Sequence, residues 1–283
     1  MSADKDLTAA TPGKAPRREE KVTVKTFQKM KQKGEKIAIL TAYDFFTAKI
    51  LDELGVDSIL VGDSANMVFY GAKDTLSITL EQMLYHTKAV SCAVKRALVI
   101  GDMPFLSYQT SISEAILNAG RFLKEGGADG VKIEGGIEMV ETVKRLIEVG
   151  IPVMGHIGMT PQSTGKFGGY YVQGKNEKGA QYLLESAKAL EEAGCFSIVL
   201  ECIPKELAKK ITSFLKIPTI GIGAGLDCDG QVLVVNDILG LYEEFKPKFV
   251  RRYAELAKEI RKACKNFIED VKNRKYPAEE ESY

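Results

Sequence analysis

The 283-residue chain has no tryptophan, only two histidines (His86 and His156), and no apolar run near the roughly 18 residues that a membrane span needs. So few histidines leave a His-rich zinc or iron centre poorly supplied. The five cysteines (Cys92, Cys195, Cys202, Cys228, Cys264) are scattered, odd in number and never spaced as C-x-x-C. That excludes a disulfide framework or a zinc ribbon and fits a reducing cytoplasm. A charge excess is missing too: 39 Lys plus Arg stand against 38 Asp plus Glu, a formal net charge of +1. Nothing in that balance would hold a phosphate backbone, so neither nucleic acid nor a membrane is an expected partner. The opening MSADKDLTAATPGKAPRREEK has neither the apolar core of a signal peptide nor the acid-poor character of a transit peptide. Residues 1–22 are expected to form a mobile tail, with 23–283 as one domain.

What the chain does have is a 45% hydrophobic, 27% charged composition, suited to one large core. From Lys36 to about Leu241, short β-rich runs alternate with longer segments of helical period. The runs are KIAILTAYD, SILVGDS, ALVIGDMPF, GVKIEGG, IPVMGHIG, SIVLEC, PTIGIGAG and QVLVVND. Between most of them lie segments such as EQMLYHTKAVSCAVKR and GAQYLLESAKALEEAG, with apolar residues at i, i+3 and i+4. No convincing helix separates PTIGIGAG from QVLVVND. Eight parallel strands, each apolar throughout, predict an α/β fold, a closed (β/α)8 TIM barrel, with an open doubly wound sheet as the alternative. GIGAGLDCDG (221–230) is G-x-G-x-G rather than a dinucleotide fingerprint and reads as a tight rim turn. TVKTFQKMKQKGE predicts an N-terminal helix over the barrel floor, and FVRRYAELAKEIRKACKNFIEDVKN an extended amphipathic C-terminal helix. The charges of the latter read as a solvated face, with packing of its apolar stripe on a neighbouring subunit kept as an alternative. The polar, Gly-rich stretch 160–179 follows the fifth strand and has the length of a lid.

Six strand ends carry ionisable groups: Asp44, Asp63, Asp102, Glu134, His156 and Glu201. In a barrel these ends converge on one mouth, where active sites are built. Any one of the acids, taken alone, reads better as a helix cap or a lysine's partner, and Asp44 before FFTAKILDEL fits that best. Taken together they point further. Three carboxylates ~4–5 Å apart would repel by roughly 3–4 kcal/mol per pair at an effective dielectric near 20. A cation relieves this most simply, and oxygen-only ligands suit Mg2+, which leaves positions for a chelating 2-oxo acid. Glu201, within apolar SIVLEC, is expected to be desolvated into a better proton acceptor. Lys132 lies two residues before Glu134 and so faces the same way. It reads equally as a salt-bridge partner of these acids and as the cation for a substrate carboxylate. His156 is either a satisfied core histidine or a substrate hydrogen-bonding group. A Ser64, His156, Asp102 hydrolase is disfavoured, since no G-x-S-x-G elbow occurs.

The stretches LTAYD, VGDS, YHTKAV, GDMPF, VKIEGG, GHIGMTPQS, FGGYYVQG, VLECIP and PTIGIGAG with DGQVLV, in this order, closely resemble the ketopantoate hydroxymethyltransferase family over roughly Val24 to Ile238. The resemblance implies a Mg2+-dependent barrel, usually a homodecamer, acting early in pantothenate and coenzyme A biosynthesis. Such an enzyme transfers a one-carbon unit from 5,10-methylenetetrahydrofolate to 3-methyl-2-oxobutanoate, giving 2-dehydropantoate. It also implies metal ligation by Asp63, Asp102 and Glu134, substrate binding by Asp63, Ser64, Asp102 and Lys132 with His156 nearby, and Glu201 as the base. One departure is visible: Ala65-Asn66-Met67 follows VGDS where the family commonly has Leu-Gly-Met. Altered turn geometry or folate-side packing is expected there. A metal-dependent lyase or aldolase would share the enolisation without folate, and a catalytically silent barrel would share neither.

Overall fold

A computed structural model of the chain describes residues 20–243 and 246–283. Helix α1 (Val24–Gln32) precedes β1 (Ile37–Thr41), α2 (Phe45–Leu54), β2 (Ser58–Val61), α3 (Ala65–Val68), α4 (Leu80–Ala93) and β3 (Leu98–Asp102). Next come α5 (Ile112–Lys124), β4 (Gly130–Glu134), α6 (Val140–Glu148), β5 (Val153–Gly158), α7 (Thr164–Phe167) and α8 (Glu177–Glu192). The series ends with β6 (Ser197–Glu201), α9 (Lys205–Phe214), β7 (Thr219–Ile222), β8 (Gly230–Leu233), α10 (Val235–Ile238) and α11 (Leu256–Lys272). The strands pair in parallel and in sequence order, and β8 closes on β1. This is the (β/α)8 barrel read from the alternation. The absent helix is also as expected: residues 223–229 connect β7 to β8 without one. Gly223 and Gly225 take positive φ there, 66° and 86°, which side-chain-bearing residues resist.

Barrel geometry explains where the ionisable groups go. Side chains alternate along a strand, and the face carrying Leu98 and Ile100 on β3, Met154 on β5 and Val199 on β6 packs into one interior cluster with Phe27 and Met30 of α1. α1 thus closes the floor, where Phe27 meets the edge of the Phe196 ring at 5.9 Å between centroids. Two residues further along those strands, on the same face, come Asp102, His156 and Glu201. On β4 that face carries Gly130, Lys132 and Glu134. The interior is therefore apolar at the floor and ionised at the mouth. The outward faces pack against the helices in a second, larger cluster.

Residues 1–19 of the expected tail lie outside the described residues. At its other end the boundary shifts, because Lys21 and Val22 are held in place. Val22 is buried and donates its N–H to the Arg96 carbonyl at 2.8 Å, and Lys21 pairs with Asp129 at 2.7 Å. At the far end, α11 begins at Leu256, seven residues later than the amphipathic stretch that predicts it, and none of its residues is buried. Its Ile260, Phe267, Ile268 and Val271 are exposed on this single chain. Asp44 acts as the cap it resembles, accepting the Thr47 N–H at 2.9 Å to start α2. Asp44→Ala is expected to cost about 1 kcal/mol in urea unfolding while leaving divalent-cation affinity intact. A loss of that affinity would move Asp44 into the site.

Candidate active site

Strand register decides which ionisable groups meet. Asp102 on β3 lies beside Lys132 on β4, and Glu134 lies beside His156 on β5. Accordingly, the Lys132 ammonium reaches Asp102 Oδ1 at 2.7 Å and Glu134 Oε1 at 3.6 Å, all three side chains being buried. His156 stands between two carboxylates, with Nδ1 3.3 Å from Glu134 Oε1 and Nε2 3.2 Å from Glu201 Oε2. Lys132 Nζ also lies 3.2 Å from His156 Nδ1. Several of these contacts are ion pairs rather than well-directed hydrogen bonds: Asp102 Oδ1, Glu134 Oε1 and His156 Nε2 have no partner at hydrogen-bonding angles. Asp63, just past β2, joins through its backbone, whose N–H donates to Asp102 Oδ2 at 3.1 Å.

Glycines shape the turns that carry these groups. Gly135, directly after Glu134, has φ 128°, and a Cβ there would come within 2.4 Å of Met139 Cγ. At Gly158, with φ 101°, a Cβ would lie 2.2 Å from the Glu201 carbonyl, so the end of β5 can pass this close to the end of β6 only as glycine.

Electrostatics follow from burial and this crowding. Asp63 is pushed well above the usual carboxylate range, by burial first and then by the charges of Asp102 and Glu134. Asp102 is also raised by burial, against the pull of Lys132. For Glu134 burial acts upward but is outweighed by Lys132 and His156, which hold it below its ordinary value. Lys132 is likewise held charged, its burial overcome by Asp102 and Glu134. Burial and Lys132 oppose protonation of His156, yet its carboxylate neighbours Glu134 and Glu201 raise it to about 9. Glu201 departs from expectation in its setting: its side chain is 14% exposed and is met by His156 rather than enclosed in apolar surroundings. The cause is its place as the last residue of β6, at the open rim.

A profile of the ketopantoate hydroxymethyltransferase family matches residues 21–279. The chain belongs to this family. The 3-methyl-2-oxobutanoate hydroxymethyltransferase of Syntrophus aciditrophicus (strain SB) is 57% identical over 263 residues, 93% of this chain and 97% of that protein. A relative of the same name from Carboxydothermus hydrogenoformans is 54% identical over 264 residues, 93% and 96% of the two chains. Among solved structures, a phosphonopyruvate hydrolase aligns with a TM-score of 0.61 at 13% identity, covering 92% of this chain and 93% of its own. A 2,3-dimethylmalate lyase aligns at 0.56 and 14% identity, covering 90% and 89%. Identities this low speak to the shared barrel alone.

Of the family site read from the sequence, Asp63, Asp102, Lys132, Glu134, His156 and Glu201 form one connected group. Ser64 does not join His156; its hydroxyl lies 2.8 Å from the Tyr43 phenol, which leaves no Ser-His pair for a hydrolase. Among the described residues, no three His, Cys, Asp or Glu side chains by themselves enclose a metal ion. The donor set still suits Mg2+, which takes few carboxylates and completes its shell with water or substrate. The crowding of Asp63, Asp102 and Glu134, which adds to burial in raising Asp63, is the repulsion that a cation would relieve, and Asp102 Oδ1 and Glu134 Oε1 are buried without a hydrogen-bond partner. The departure at Asn66 has a visible consequence: its amide donates to the Asp74 carbonyl at 2.8 Å and lies 2.9 Å from the Ser77 hydroxyl, pinning the loop after β2. Two residues of the site give no strand-end signal. Gln162 comes from a short 3-10 turn after β5 and Tyr108 from the loop after β3, and both are buried against the acids.

Proposed function

We propose that the protein transfers a hydroxymethyl group from 5,10-methylenetetrahydrofolate to 3-methyl-2-oxobutanoate, giving 2-dehydropantoate and tetrahydrofolate with consumption of one water. The reading places it in the cytoplasm and in pantothenate synthesis. The observation that carries it is the buried group of Asp63, Asp102, Glu134 and Lys132 linked through His156 to Glu201, in a chain more than half identical to proteins named for this reaction.

In this reading Asp63, Asp102 and Glu134 hold Mg2+, and Asp63, Ser64, Asp102 and Lys132 line the place of the oxo acid. When bound, the ion supplies Lewis acidity that stabilises negative charge on the keto oxygen as C3 loses its proton. Lys132 orients the substrate carboxylate. His156 holds one oxygen of Glu201, leaving the other to take the C3 proton. The one-carbon unit is received at the formaldehyde level, water replacing the folate nitrogens on the methylene carbon as its C–N bonds break and tetrahydrofolate leaves. The C3 carbanion attacks that carbon while its oxygen takes up a proton to become the new hydroxyl. The stretch 160–179 serves as a lid against bulk water. Its return limb is tied beside the base, where the Gln173 N–H donates to the Cys202 carbonyl at 2.9 Å. Within the same stretch the Tyr170 phenol is pushed up to about 12, by burial first and then by the charges of Asp63 and Glu201.

The folate dependence separates this reading from its rivals. With Mg2+ and oxo acid, 2-dehydropantoate detected by mass spectrometry is expected only when methylenetetrahydrofolate is present. Turnover without folate would favour a lyase or aldolase, and no product under any condition a silent barrel. The exposed apolar residues of α11 fit contact with further copies of the chain, and we propose the homodecamer that the family resemblance implies. Sedimentation at the mass of a single chain would contradict it.

A further inference from the structure

Gln162 lies in a single 3-10 turn (Pro161–Ser163) shortly after β5, and its side chain makes every bond that a primary amide can make. Nε2 donates to Asp63 Oδ2 at 3.0 Å and to the Met103 carbonyl at 2.9 Å. Oε1 accepts from the Tyr108 phenol at 2.8 Å and from Gln109 Nε2 at 3.2 Å. The amide has one orientation here, because the Met103 carbonyl can only accept and so requires Nε2 on its side. Tyr108 is fixed in turn, since its oxygen accepts the Glu134 N–H at 3.0 Å. The backbone of Gln162 adds a further bond, donating its N–H to Glu134 Oε2 at 2.9 Å.

The three acids share a pattern. Each gives one oxygen to a protein N–H: Asp102 Oδ2 to the Asp63 backbone, Asp63 Oδ2 to the Gln162 side chain, and Glu134 Oε2 to the Gln162 backbone. Two of the three donors belong to one residue. A carboxylate with one oxygen so held offers only the other to a cation, which suits a small octahedral ion that accepts single-oxygen ligands and disfavours a larger one that takes carboxylates in pairs of oxygens. Gln162 does not titrate, lies outside the strand ends and touches none of the reacting atoms in the proposed reaction.

We propose that Gln162 is a positioning residue that orients Asp63 and Glu134 as one-oxygen ligands for a divalent cation at the barrel mouth, with Tyr108 locking its amide. The inference rests on the proposed role of those acids in holding the cation. Mn2+ binding to the full chain, followed by electron paramagnetic resonance with Mg2+ as competitor and no substrate present, tests it. Gln162→Met keeps the volume and removes the amide. It is expected to weaken Mn2+ binding by about 10- to 100-fold, the range for a partner behind a metal ligand. Tyr108→Phe, which keeps the ring, is expected to weaken it in the same direction by a smaller factor. Wild-type Mn2+ affinity in Gln162→Met, even with a lowered melting temperature, would overturn the proposal and leave Gln162 a packing residue. If Gln162→Met does not fold, Tyr108→Phe decides in the same way. Failure of the wild-type chain to bind Mn2+ or Mg2+ is a different result, and it would instead remove the cation reading on which the proposal rests.

Discussion

Glu201→Gln is expected to lower the rate of proton removal from C3 of the oxo acid by about 10²–10⁴-fold, equal to about 3–5 kcal/mol of barrier. The substitution preserves size, and an amide can still meet His156 Nε2, which lies 3.2 Å from the carboxylate now. It removes only the ability to accept a proton. Glu201 is not among the acids that surround Lys132, so Mg2+ affinity should stay close to wild type. Isothermal calorimetry with Mg2+ alone, beside the rate measurement, separates the two effects. A large drop in Mg2+ affinity would make Glu201 a metal ligand rather than the base.

Lys132→Met is expected to be the most destabilising single change at the mouth, costing about 3–5 kcal/mol in the metal-free protein. Lys132 is buried between Asp102 at 2.7 Å and Glu134 at 3.6 Å, and without it Asp102 loses its ion-pair partner in a low-dielectric interior and Glu134 keeps only His156. Mg2+ should recover part of the loss, because a divalent ion at the same acids relieves the same repulsion. Urea unfolding at one protein concentration, with and without Mg2+, measures both numbers. A second consequence is kinetic. Losing a charged hydrogen bond to the substrate carboxylate should cost about 1.5–3 kcal/mol, or roughly 10- to 150-fold in kcat/KM. Stability unchanged without Mg2+ would show that Lys132 does not neutralise these acids.

The parts of the site that were legible in the sequence are those governed by local periodicity. Period-two alternation puts Lys132 and Glu134 on one face of β4, and the same count carries Asp102, His156 and Glu201 from the apolar interior to the rim. The missing helix between β7 and β8 was equally readable, since Gly223 and Gly225 leave no helical period. Register between strands was not readable. That Asp102 pairs with Lys132, and Glu134 with His156, depends on the stagger of the closed barrel, which no single strand encodes. The setting of Glu201 is hidden for a related reason, because its apolar neighbours Leu200 and Cys202 are neighbours in sequence, whereas across the mouth it meets His156. Gln162 and Tyr108 were invisible as site residues. An amide and a phenol outside the strands have ordinary roles nearly everywhere, and only the fold brings them against Asp63 and Glu134.

The most direct test of the account follows hydrogen exchange at C3 of 3-methyl-2-oxobutanoate in heavy water by proton NMR, with the protein, with and without Mg2+, and with no folate donor. The account expects the C3 proton signal to disappear in the presence of protein and Mg2+, and to persist at the uncatalysed rate with Glu201→Gln or without the ion. Exchange that is equally fast in Glu201→Gln, or absent with folded wild-type protein and saturating Mg2+, would contradict it.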